Sequence, residues 1–148
     1  MLPQKIRKNQ RKVIQYIIAD KADHKPTGSH GSHVTGTIAG VRSYDWKNPS
    51  ANDKGNGVAP GAKISFMDIG SGTGLFPPSN LKILIEPPKA AGARIFSASW
   101  GDNYKLGSYS YYSNRFDEYL YLNQDLFITF ASGNFGEKGI AYPSTVSK

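Results

Sequence analysis

The chain of 148 residues contains no cysteine. Disulfide cross-links, thiol nucleophiles and cysteine-ligated zinc are thereby excluded, but the compartment is not decided. Long apolar runs are also missing. No window approaches the roughly 18 consecutive apolar residues that a membrane helix requires, so no membrane segment is expected in this chain. The opening stretch "MLPQKIRKNQ" carries charge but lacks the apolar core of a secretory signal. A secreted or endomembrane location is therefore expected only if a longer product supplies a signal upstream. Acidic residues are absent from the first twelve positions, where Lys5, Arg7, Lys8, Arg11 and Lys12 stand close together. The remainder holds the other 13 of the 18 basic residues against all 11 acidic ones. Residues 1–12 therefore form a basic arm on a nearly neutral body. That distribution is a weak argument for a polyanion, and no nucleic-acid partner is expected.

What is present is the composition of a soluble globular domain, 39% hydrophobic and 20% charged, in a length suited to one core. The β-branched and aromatic stretch "RKVIQYIIAD" (11–20) reads as a strand and "KADHKPTGS" as a loop. Ser29 can cap a helix that begins at His30. Within it, Gly36, Ala39 and Gly40 fall at helical spacing, which implies close backbone packing. After the turn-rich "YDWKNPSANDKGNG", the apolar run "AKISFMDI" (62–69) reads as a buried strand. Leu81, Leu84 and Ile85 open a second helix, which Pro87 and Pro88 are expected to end or kink at Glu86. "ARIFSASW" (93–100) and "DLFITFAS" (125–132) are further strands, and Phe116, Tyr119 and Leu120 mark an amphipathic helix between them. Strands alternating with helices give an α/β fold, a mostly parallel sheet with helices on both faces. Sites in such sheets lie at the carboxyl ends of the strands.

Three segments carry chemistry. In "GSHGSHVTGTIAG" (28–40) His30 and His33 stand at H-x-x-H spacing, with His24 nearby. A metal site is one reading, but the glutamate of H-E-x-x-H is missing and zinc needs further ligands. Plain hydrogen-bonded helix residues are another. Proton chemistry has the better physical basis, because a first-turn His30 is exposed at a strand-end cleft while His33 turns inward. In "ASGNFG" (131–136), Asn134 offers an amide N–H₂ that can donate to a developing oxyanion, although Gly-Asn is also an ordinary turn. "GSGTG" (70–74) suggests a phosphate loop, but neither G-x-G-x-x-G nor the Gly-Lys-Ser/Thr ending of a P-loop is formed.

Taken in order, these segments resemble the subtilisin-like serine peptidases. "SHGSHVTGTIAG" is similar to that family's histidine box, H-G-[ST]-H-V-x-G-T-x-A-[GA]. "NGVAPGAKI" (56–64), "SASWG" (97–101) and "FASGNFG" (130–136) resemble the family's G-V-A-P-x-A-x-[IL], S-x-S-[LW]-G and A-A-G-N-x-G segments. The resemblance implies a serine endopeptidase acting on peptide or protein substrates, with a partial peptidase domain over 13–148. It implies that His30 is the triad base, Asn134 the oxyanion donor and His33 structural. Ser99, Trp100 and Gly101 would form one substrate-binding edge, and Gly70, Ser71 and Gly72 the opposite one. The family's aspartate box, D-[ST]-G, and serine box, G-T-S-[MA]-A-x-P, do not occur in the 148 residues, so the sheet is expected to be incomplete at both ends. Asp20 and Asp23 are too near His30 for the triad aspartate, and Ser144 and Ser147 too near Asn134 for the nucleophile. The resemblance therefore implies an inactive chain if these residues act alone, and a peptide-binding remnant as the alternative. "NDKGNGVAP" is shorter than the calcium loop of many family members; no metal and no cofactor are expected.

Overall fold

A computed structural model describes residues 5–23, 29–42, 54–72, 74–101 and 108–134. The chain divides into two compact units, Met1–Pro78 with Ile83–Gly92, and Ser79–Lys82 with Ala93–Lys148.

The first unit is built on two parallel strands, β1 (Val13–Ile18) and β2 (Ile64–Asp68), paired in register from Val13 opposite Ile64 to Ile18 opposite Asp68. The register shifts between Val13 and Gln15. A bulge of this kind breaks the in–out alternation, which explains why the neighbours Ile14 and Gln15 are both buried. The Gln15 amide does not go unpaired, since its Oε1 accepts from Ser65 Oγ at 2.6 Å. The basic arm is tied to this pair. Arg7 N donates to Ile14 O at 2.7 Å. The Lys63 ammonium donates to the carbonyls of Lys8 and Gln10, and the Lys12 ammonium to those of Pro60 and Ala62. Two of the basic heads thus serve as clasps for backbone carbonyls.

Helix α1 (His30–Ala39) starts where Ser29 predicts, although the Ser29 side chain makes no capping bond. The helix C-terminus is satisfied from outside. Gly57 N, Val58 N and Ala59 N donate to the carbonyls of Gly40, Thr37 and Ile38 at 2.7–3.0 Å, supplying donors for carbonyls that no intrahelical amide reaches. Close backbone approach occurs on this stripe as its spacing implies, because the Gly57 backbone sits on Gly36, Ala39 and Gly40, although Gly36 itself has room for a Cβ. A Cβ on Gly57 would lie 2.7 Å from Ala39 N, Gly36 O and Gly40 N, whereas one on Gly36 would meet nothing within 4 Å.

Helix α2 (Leu81–Ala91) contains both prolines and runs on past Glu86, contrary to the expectation that it ends there. Leu81, Ile85, Pro88 and Ala91 are all buried. The helical face is apolar enough to continue through residues that take away the N–H partners of the Ile83 and Leu84 carbonyls. Gly92, at φ +108°, closes the helix in the left-handed conformation that glycine adopts without penalty.

In the second unit β5 (Ile95–Ala98) and β6 (Phe127–Phe130) pair in parallel, Ile95 opposite Phe127 and Ala98 opposite Phe130. Helix α3 (Tyr111–Leu122) opens with a reciprocal cap. Ser113 N donates to Ser110 Oγ, and Ser110 N to Ser113 Oγ. Phe116 on α3 packs edge to face on Phe130 at 4.9 Å between centroids, with Trp100 against both. Helices and parallel strands make this an α/β fold with small sheets, as expected of part of a subtilisin-like sheet. Among the described residues no helix is long and apolar enough to cross a membrane.

Candidate active site

His30 occupies the first position of α1 and is exposed. The contact that fixes this end of the helix is at Gly31, where an added Cβ would stand 2.7 Å from Cζ of Phe66 on β2. Successive helical residues are rotated by about 100°. With Gly31 facing the sheet, His30 lies about 100° and His33 about 160° around the helix from that contact on the same side, so His33 points nearly straight away from the sheet. His33 is accordingly exposed and does not turn inward as the sequence suggests. Its carbonyl, not its ring, is the group in use, accepting from Thr37 Oγ1 at 3.0 Å. Among the described residues no three His, Cys, Asp or Glu side chains gather as metal ligands; His24 lies outside those residues.

Gly70, Ser71 and Gly72 follow β2 directly. Gly70–Ser71 is β3, paired antiparallel with β4, Gly74–Leu75, and Gly72 turns the chain at φ +56°. Two carboxylates hold this short edge. Asp68, the last residue of β2, accepts from Gly70 N through Oδ1 at 3.0 Å and from Tyr16 Oη through Oδ2 at 2.9 Å. Asp23 accepts from Ser71 Oγ through Oδ2 at 3.1 Å, and its own N–H donates to Gly70 O at 3.2 Å. Tyr16 lies stacked on Phe66 at 5.4 Å. Burial, then the Asp68 hydrogen bond and charge, push its hydroxyl up to about 12.

In the second unit Ser99, Trp100 and Gly101 leave the end of β5, and 131–134 leave the same end of β6. The two exits are coupled by the bond from Ala131 N to Ala98 O at 3.1 Å and by the edge contact of Trp100 with Phe130 at 6.1 Å. The Trp100 ring also meets Tyr112 and Phe116 at 6.3 Å each, so α3 fixes it from behind. Gly101 and Asn134 are exposed, and Ser99 and Trp100 half-buried. Gly133, at φ +92°, makes the turn that precedes Asn134. The first unit thus gathers Gly70, Ser71 and Gly72 around Asp23 and Asp68, and the second brings 99–101 beside 131–134. His30 belongs to the first unit and Asn134 to the second. Ser144 and Ser147 lie outside the described residues.

Sequence reasoning missed Tyr16 and Asp68 as supports of the 70–72 edge, and considered Asp23 only as a triad member to be rejected. The available signal was an aspartate closing a buried strand two residues before a glycine, where a carboxylate can accept from the next free amide.

The subtilase family profile matches residues 4–148. Two relatives from Dictyostelium discoideum are similar to the chain. They are the serine protease/ABC transporter B family protein tagD, 36% identical over 134 residues, and tagB of the same description, 35% identical over 135. These matches cover 85% and 87% of this chain but only 7% of each relative, so the chain spans a small part of their length. No solved structure gives a significant match. A histidine at the head of a helix, a Gly-Ser edge after one parallel pair and an asparagine turn after another all lie within the matched region: the chain belongs to the subtilase family.

Proposed function

We propose that this chain carries the base, the oxyanion donor and both substrate edges of a serine endopeptidase domain. The observation that carries the reading is the exposed His30 at the head of α1, inside a chain that matches the subtilase family over residues 4–148. An imidazole held there by Gly31 against Phe66 is open to solvent and to an incoming hydroxyl. Acting as base, it takes the proton of a serine as that oxygen attacks a peptide carbonyl, then returns it to the departing amine; water releases the acyl group by the reverse relay. The negative oxygen formed in between accepts from the Asn134 amide, whose exposure after the Gly133 turn leaves the N–H₂ accessible. The 70–72 edge and the 99–101 edge are each assigned contacts with the peptide by their likeness to the family's segments, with Trp100 as an aromatic wall. Protein or peptide is the substrate on this reading, with neither metal nor cofactor assigned a step.

The nucleophile and the triad carboxylate are not assigned to any of the 148 residues, in which no Gly-Thr-Ser occurs. The alternative reading is a remnant that binds peptides and does not cut them. Hydrolysis of a fluorogenic peptide separates the two. The cellular product that carries residues 1–148 should turn it over, and His30→Ala should lower kcat by about 10⁴-fold or more with KM little changed. Binding of the peptide without turnover, unaffected by His30→Ala, would establish the remnant instead.

A further inference from the structure

The edge formed by Gly70 and Ser71 is only two residues long and pairs with an equally short partner, so its own ladder is too small to fix its direction. Its position is imposed from outside, by two carboxylates and one backbone amide. Asp68 reaches it with one carboxylate oxygen while the other is held by Tyr16 of the neighbouring strand. Tyr16 is in turn fixed by stacking on Phe66, opposite it in the β1–β2 register. Asp23 comes from the segment that follows β1 and holds both Ser71 Oγ and Gly70 O. We infer that Asp68 and Asp23, with Tyr16 as the clamp on Asp68, are positioning residues that fix Gly70 and Ser71 so that the backbone at Gly72, just beyond them, is presented to an extended peptide. The assignment rests on the reading of 70–72 as a substrate edge. It adds that the affinity of this edge is set by acceptors at two carboxylates, not by the glycines alone. Asp68 binds no peptide itself; it acts through Gly70.

The test is peptide binding by the full chain at sub-micromolar concentration, followed by the fluorescence polarisation of fluorescein-labelled Ala-Ala-Ala-Phe amide. Amide chemical shifts of Ser71 and Gly72, recorded on an Ile95→Lys, Phe127→Lys background that keeps the chain monomeric at the concentration NMR needs, locate the peptide. Loss of a hydrogen bond to a charged acceptor predicts about tenfold weaker binding for Asp68→Ala and for Asp23→Ala. Asp68→Asn and Asp23→Asn keep a carbonyl oxygen for the Gly70 amide and the Ser71 hydroxyl, and should bind within about threefold of the original chain. Tyr16→Phe, which leaves the fold's apolar contacts in place, should give an intermediate loss and decides the matter if either alanine variant fails to fold. Asp117→Asn, on α3, should change nothing. If the original chain binds the peptide at Ser71 and Gly72 while the alanine variants and Tyr16→Phe bind equally well, the positioning role is overturned and the substrate edge stands. If the peptide does not shift those two amides, the edge reading fails and the positioning role falls with it.

Discussion

Asn134 stands exposed after the Gly133 turn, and an oxyanion donor at such a place contributes to the transition state but little to the ground state. Asn134→Ala in the cellular product should therefore lower kcat by about 10²–10³-fold with KM nearly constant. Steady-state kinetics on a fluorogenic peptide checks this. Tyr16 gives a pH prediction. Its hydroxyl is raised to about 12 by burial first and by the Asp68 bond second, so the folded chain holds that proton more tightly than the unfolded one. The associated stability is fully present below the ordinary tyrosine value of about 10. It is lost as pH climbs from there through about 12. Difference absorbance at 295 nm should show a late-titrating component that is smaller by one tyrosine in Tyr16→Phe. Between pH 10 and 12 the original chain should lose more stability, measured by urea unfolding, than Tyr16→Phe does. Equal losses would show that the Tyr16–Asp68 bond is not maintained in solution.

At the scale of the elements, the strands and helix starts were legible because they rest on local rules. β1, β2, β5 and β6 lie within the apolar runs that mark them, α1 begins immediately after Ser29, and α3 surrounds Phe116. What local rules do not contain is the tertiary packing that overrides them. Pro87 and Pro88 read as a stop, yet Leu81, Ile85, Pro88 and Ala91 form one buried face and α2 continues to Ala91. A proline within a helix costs about 3 kcal/mol relative to alanine. Pro87→Ala, at a half-buried position, should therefore stabilise the chain by about 1–3 kcal/mol in urea unfolding. Pro88→Ala should gain less, because it also removes a buried ring. A loss of stability in Pro87→Ala would mean that the ring packs more than its partial burial indicates. The reciprocal cap of α3 runs the other way: Ser110→Ala should cost about 1 kcal/mol, and Ser113→Ala a comparable amount. The double variant should cost less than the sum, because the bond between the two hydroxyls is lost in either single change.

On the scale of the whole molecule, α/β character and the order of the four family-like segments were readable, because long motifs and alternating apolar runs survive without any tertiary information. The faces were not. His33 was expected inside, and its exposure follows from Gly31 lying on Phe66, a contact between residues 35 positions apart. The supports of the 70–72 edge were hidden for the same reason: Tyr16 and Asp68 are separated by 52 positions and meet only through the β1–β2 register. The small sheets leave a physical signature. Ile95 and Phe127, partners across the β5–β6 ladder, are 75% and 62% exposed, and parallel strands are ordinarily covered on both faces. The isolated chain should therefore self-associate at micromolar concentration, and Ile95→Lys with Phe127→Lys should make it monomeric in sedimentation velocity. A monomeric original chain would show that this face is protected in solution.

The central claim, that His30 is the base of a serine peptidase, is tested most directly by labelling the cellular product that carries residues 1–148 with a fluorophosphonate. Labelling is expected on a serine of that product, with its loss in His30→Ala and none on the 148-residue chain by itself. Labelling that survives His30→Ala unchanged, or a cellular product that hydrolyses and labels nothing, would contradict it.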